Sequence, residues 1–251
     1  MEKKLRHGYT TGACATAAAK AALTALLTQQ CPQEVTIRLP IGQEATFQLA
    51  HCRFSPQQAT AGTIKDAGDD PDVTHGALIE ATISWMAEPG IVLDGGPGVG
   101  RVTKPGLPVP VGEAAINPVP RKMILDTVRE VLEQHGVSRG VKVVVSVPEG
   151  EKIAEKTLNP RLGIIGGISI LGTRGIVVPF STAAYRASVA QAIRVARANG
   201  CDHLVLSTGG RSEKHAMGLY PDLPEEAFIE MGDFVGFALK QCKGQGIGRV
   251  S

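Results

Sequence analysis

Four aspartates crowd into the stretch Lys65-Asp66-Ala67-Gly68-Asp69-Asp70-Pro71-Asp72-Val73-Thr74. Carboxylates this close repel one another unless something compensates them. A loop of this kind offers a hard-metal site, a general base, or carboxylates for a cationic or hydroxylated ligand. Solvated loop acids are the plain alternative. The spacing departs from a calcium-binding EF-hand, which needs a glycine at its sixth position and a glutamate at its twelfth. The histidines, at positions 7, 51, 75, 135, 203 and 215, show no HxH or HxxxH spacing, so no sequence-local metal site is expected.

Three glycine-rich stretches come next. Asp94-Gly95-Gly96-Pro97-Gly98-Val99-Gly100 follows an apolar run but enters another strand-like segment, where a dinucleotide-binding turn would enter a helix. A tight turn and a ligand loop are equally open readings there. In Asn159 to Thr173, glycines alternate with bulky aliphatics. That composition suits a buried crossing of backbones, or a flat apolar wall for a planar ligand with Asn159, Arg161 and Ser169 as polar anchors. Ser207-Thr208-Gly209-Gly210-Arg211-Ser212 closes a short apolar run, the edge of an α/β sheet at which ligands dock. No Walker loop, nucleophile elbow or kinase signature occurs.

Stepping outward to the elements that hold these residues, Gly12 to Leu27 reads as a close-packed helix with Thr10 or Thr11 as its N-cap. Val35–Leu39, Thr46–Leu49, Ala77–Trp85, Gly90–Leu93 and Val141–Val147 read as strands. Met123 to His135, preceded by Pro118 and Pro120, reads as an amphipathic helix. Helices are expected at Ala187 to Ala198 and Pro224 to Cys242, a strand at His203–Ser207, and another beginning at Val250. The order predicts an α+β domain of the two-layer sandwich type over residues 1–180. A Rossmann-like α/β unit over 181–251, apparently cut short at the C-terminus, follows it.

Lys+Arg 26 against Asp+Glu 24 gives a net charge of +2 with no basic stripe, which argues against nucleic acid. No apolar run is long enough for a bilayer, and the charged start does not read as a secretory signal. The five cysteines are scattered and odd in number. They are expected to be reduced thiols in the cytoplasm.

The chain resembles the cobalt-precorrin-5B C1-methyltransferase family of anaerobic cobalamin synthesis. The resemblance lies in Leu5-Arg6-His7-Gly8-Tyr9-Thr10-Thr11-Gly12-Ala13-Cys14-Ala15, Lys65 to Thr74, Asp94 to Leu107, Gly112 to Arg121 and Asn159 to Gly175. It implies methyl transfer from S-adenosylmethionine to C1 of a tetrapyrrole macrocycle, with cobalt present only as part of the substrate. It also implies further strands beyond Ser251, and it allows a homo-oligomer. On this reading Arg6, Lys104, Arg121 and Arg161 face the acidic side chains of the macrocycle, with Thr10, Thr11, Asn117, Asn159 and Ser169 beside them. Asp66 or Asp69 contacts the cofactor or manages a proton. The cofactor is placed at Gly166, Gly167, Ser207, Thr208, Gly209, Gly210 and Ser212, and the macrocycle between the two domains.

Overall fold

The structure, a computed structural model, describes residues 5–251. A two-residue strand β1 (Gly8–Tyr9) leads into helix α1 (Thr11–Thr28). Thr10 is extended and its hydroxyl accepts from the Ala13 N–H, which caps the helix. The helix is buried around most of its circumference, with Lys20, Thr24 and Thr28, four residues apart, on its one partly exposed stripe. Its alanines let β5 and β6 approach from one direction and α2 from another.

The hairpin β2 (Glu34–Arg38) and β3 (Glu44–Gln48) follows, then β4 (His51–Phe54), β5 (Gln58–Ile64), β6 (Leu78–Trp85) and β7 (Ile91–Gly95). Two short strands, β8 (Gly98–Val99) and β9 (Arg101–Val102), precede helix α2 (Pro118–Gln134) and β10 (Val141–Ser146). The main sheet runs β4-β5-β6-β10-β7, antiparallel except for the β10–β7 pair. Along β6, Ile79, Ala81 and Ile83 are fully buried, while Glu80, Thr82 and Ser84 on the other face are only half-buried. A short helix α3 (Gly150–Ala154) then leads to β11 (Ile164–Ile165), β12 (Gly167–Ile168) and β13 (Ile176–Val177), the last paired with β1.

From residue 182 the elements are α4 (Thr182–Ala198), β14 (His203–Ser207), α5 (Gly210–Leu219), β15 (Phe228–Glu230), α6 (Val235–Gly244) and β16 (Arg249–Val250). The three strands form a parallel sheet in the order β15-β14-β16. The right-handed crossover rule assigns α5 to one face and α6, packed on α4, to the other. The expected helix over Pro224 to Cys242 is therefore corrected. Pro224 is extended, Phe228 and Ile229 are buried in the sheet, and Gly232 at φ +56° turns the chain before α6 begins.

The cysteine expectation is corrected as well. Cys31 and Cys52 form a disulfide, with their Cα atoms 5.7 Å apart, which leaves Cys14, Cys201 and Cys242 free and buried. Burial pushes the Cys14 thiol up to about 12 and raises Cys201 and Cys242 too. An alkylating reagent at neutral pH should leave the folded chain unlabelled and take up three equivalents after denaturation without reductant. Five equivalents, or fast native labelling at Cys14, would contradict this arrangement. Among the described residues no helix is long and apolar enough to cross a membrane.

Candidate functional site

The acidic loop is consumed by the chain itself. Arg6 grips Asp66 through both guanidinium nitrogens, and its backbone N–H donates to Asp69 at 2.7 Å. Asp70 accepts from the Phe180 N–H, and Asp72 accepts from the fully buried Lys65 ammonium at 2.7 Å and from Thr74. The Arg6 guanidinium and the Gly68 N–H hold the Asp66 carboxyl down to about 2. A carboxylate so stabilised favours its charged form, paired with Arg6. Asp69 is likewise occupied, and the loop's part is to fasten the segment from Arg6 to Tyr9. The Tyr9 N–H donates to the Asp66 carbonyl, and the Asp69 N–H to the Arg6 carbonyl. No three His, Cys, Asp or Glu side chains converge as metal ligands among the described residues.

The first two glycine stretches interlock. β8 pairs with β12 and β9 with β11. A side-chain carbon on Gly167 would stand 2.1 Å from the Gly98 carbonyl oxygen, and one on Gly150 would meet the same atom at 2.1 Å. Ile164, Ile168 and Ile170 are buried. This is a crossing of backbones, in which Gly167 serves as a packing residue. Gly166, at φ +84° with open space around it, stays accessible. The polar anchors turn inward: Ser169 donates to Asn159, and Asn159 donates to the Gly167 carbonyl. Thr10 caps α1, and buried Thr11 accepts from the Leu171 N–H at 2.9 Å. Thr10, Thr11, Asn159 and Ser169 thus spend these polar groups on partners within the chain.

A small apolar core joins the β9–β11 pair to helix α4. Val102, Val109, Ala115, Leu162, Ile164 and Val195 make it up. Arg161 crosses the junction to Glu213 in a two-pronged pair at 2.7 and 2.9 Å, and adds Glu225 and the Phe228 carbonyl. Lys104 crosses to Glu226 at 3.0 Å. Both cations are thus paired across the junction.

Open space lies elsewhere. A groove of about 500 Å³ runs beside the start of α2, bordered by Pro108, Pro110, Glu113, Arg121, Lys122 and Arg129. Asn117 precedes α2, half-buried, with no hydrogen bond from its side chain to the helix end. Arg121 leans on half-exposed Glu113 at 3.1 Å, a contact that a stronger anion can displace.

The third glycine stretch forms an open turn from β14 into α5. Ser212 accepts from the Gly209 N–H and donates back to the Gly209 carbonyl at 2.8 Å, with Thr208 at 3.3 Å, so its hydroxyl braces the turn. Nothing stands within 4 Å of a carbon placed on Gly210. The Ser207 hydroxyl is buried with no hydrogen-bond partner among the described residues. Opposite it in register is Glu230, at the end of a strand that the sequence reading had taken for helix. The usable signal was an acid about 20 residues beyond a strand-ending glycine turn.

A family model described as CbiD matches residues 1–179. The cobalt-precorrin-5B C(1)-methyltransferase of Geobacillus kaustophilus is 72% identical over 250 residues, covering 100% of this chain and 67% of that protein. The one from Priestia megaterium is 66% identical, covering 99% and 68%. A crystal structure described as the cobalamin biosynthesis protein (cbiD) from Archaeoglobus fulgidus is 31% identical with a TM-score of 0.56, covering 94% of this chain and 74% of that one. The family match runs through the clamped acidic loop and the interlocked glycine strands, the relatives' matches extend over nearly the whole chain, and on them the chain belongs to the CbiD family.

Proposed function

We propose that this chain transfers a methyl group to C1 of cobalt-precorrin-5B, giving cobalt-precorrin-6A in cobalamin synthesis, with S-adenosylmethionine as the donor. The observation that carries this reading is the 72% identity over 250 residues to a relative of that name. The donor supplies a methyl group on a sulfonium: an electron pair of the macrocycle forms the bond from C1 as the bond to sulfur breaks, that bond's electron pair stays on sulfur, and the macrocycle releases a proton to solvent. No protein nucleophile is needed. The chain's task is to hold two ligands in line, worth about 7–11 kcal/mol in a well-oriented reaction.

The residues at the Ser207–Gly210 turn fit an adenosyl ligand. Free space stands over Gly210, and a buried hydroxyl at Ser207 lacks a partner. We read the parallel sheet as the Rossmann-like part of the fold, its crevice serving the donor. Arg121, Lys122 and Arg129 in the groove beside α2 offer cations to the carboxylates edging the macrocycle. Of the residues expected to meet the substrate, Arg121 and Asn117 keep that part.

The assay is the chain supplied with S-adenosylmethionine and cobalt-precorrin-5B generated in situ. The expected products are S-adenosylhomocysteine and a pigment heavier by one methylene unit. Pigment retained tightly with no S-adenosylhomocysteine released would make the chain a tetrapyrrole carrier and refute the proposal.

A further inference from the structure

The geometry points to Glu230 as the acceptor of the ribose 2′,3′-diol of the donor's adenosyl group, an inference that rests on the donor reading above. The topology selects the place. β14 and β15 are parallel neighbours, and their outgoing connections diverge: β14 leads through α5 to β15 on one side, and β15 leads through α6 to β16 on the other. Neighbouring strands whose connections part to opposite faces open a crevice at their carboxyl ends, where ligands of α/β sheets sit. Ser207 ends β14 and Glu230 ends β15 at that crevice.

The residues there agree with the topology. Ser207 and Glu230 are register partners in a parallel ladder, so their side chains leave the sheet on the same face. A carbon built on Gly209 would stand 4.0 Å from Oε1 of Glu230, which places the carboxylate beside the backbone of the turn. Because position 209 has no side chain, a ligand can lie between the turn and the acid. Glu230 is exposed and makes no hydrogen bond or ion pair among the described residues, whereas Asp66, Asp72, Glu213 and Glu226 are all taken by cations. A free carboxylate has two acceptor oxygens, and a vicinal diol presents two O–H donors at matching separation. The buried Ser207 hydroxyl directly beside it lacks a hydrogen-bond partner, an unspent polar group at the floor of the same crevice.

The test is calorimetric binding of S-adenosylhomocysteine, which has no sulfonium, so that attraction between charges does not enter the reading. Glu230→Gln should weaken it roughly 10–100-fold, the size of a hydrogen bond to a charged group. Its thermal unfolding should match the parent, since Glu230 is exposed. The 2′-deoxy analogue should bind the parent chain more weakly by a similar factor. It should lose little further in the Gln variant, because the two changes remove one interaction. Equal affinity of parent and variant for S-adenosylhomocysteine, or losses that simply multiply, would overturn the assignment to Glu230 and leave the donor reading standing. No binding of S-adenosylhomocysteine by the parent chain would overturn both.

Discussion

Gly98→Ala should leave little folded protein. Gly98 sits at φ +74°, and a methyl group there would lie 1.8 Å from the Val147 carbonyl oxygen and 2.8 Å from its carbon. Neither atom can step aside. The Val147 N–H is bonded to the Pro97 carbonyl, and Gly98 is held in register with Gly167 on the other flank. Strain of this kind belongs with the exceptional substitutions, above about 4–5 kcal/mol, against a total stability of roughly 5–15 kcal/mol. The control is Gly112→Ala, with φ +90° and open space around it, whose cost is the left-handed backbone alone, about 1–2 kcal/mol. Urea unfolding and soluble yield of the two variants side by side decide the matter. Similar values for both would show that the crossing of β8, β12 and α3 is loose.

Arg161→Met should cost about 3–5 kcal/mol, because it leaves Glu213 buried without its cation. The Arg161 and Glu213 side chains are 16% and 10% exposed, so water cannot take the cation's place. The change also strips a donor from the Phe228 carbonyl. Arg161→Lys should fall between, since one ammonium cannot meet both carboxylate oxygens in the fork geometry. Adding Glu213→Leu to Arg161→Met should recover much of the loss, because a buried pair replaced on both sides by apolar groups is close to neutral. Denaturant midpoints of the three variants test this. A loss under about 1 kcal/mol for Arg161→Met would mean that the pair behaves as an exposed one.

The legible part of the fold was the part governed by local pattern. Five strands of the first half lie within two residues of where alternation placed them, and the first helix within one. β4 and β5 escaped notice for a physical reason. In Gln-Ala-Thr-Ala-Gly-Thr-Ile the run from Ala59 to Thr63 is buried without a break, so the alternation that marks a half-exposed strand never appears. The residues are small because an alanine helix lies against them. α2 begins five residues before its expected start, since Pro118 and Pro120 occupy its first turn, where a missing N–H costs nothing.

The site was legible only in outline. The residues that drew attention, Asp66, Arg161, Asn159 and Thr11, are polar groups in glycine-rich company, which looks like ligand chemistry on paper. Three of them find partners 52 to 160 residues away, Arg6, Glu213 and Leu171, while Asn159 pairs with Ser169 ten residues on. Which polar group is spent on another is long-range information that spacing does not hold. The turn at Ser207 to Gly210 was readable because strand, glycines and helix start are contiguous. Glu230 was hidden because a three-residue strand between a proline turn and a glycine leaves almost no periodic trace.

The closure of β1 on β13 bears on how the chain is made. Gly8 and Tyr9 find their strand partners at Val177 and Ile176, and the amide of Gly12 waits for the Leu171 carbonyl. A ribosome must therefore deliver most of the polypeptide before its opening helix can be tied off. Its alanine-rich faces meet β5, β6 and α2 earlier, so this late closure fixes the start of the helix after its core is already covered.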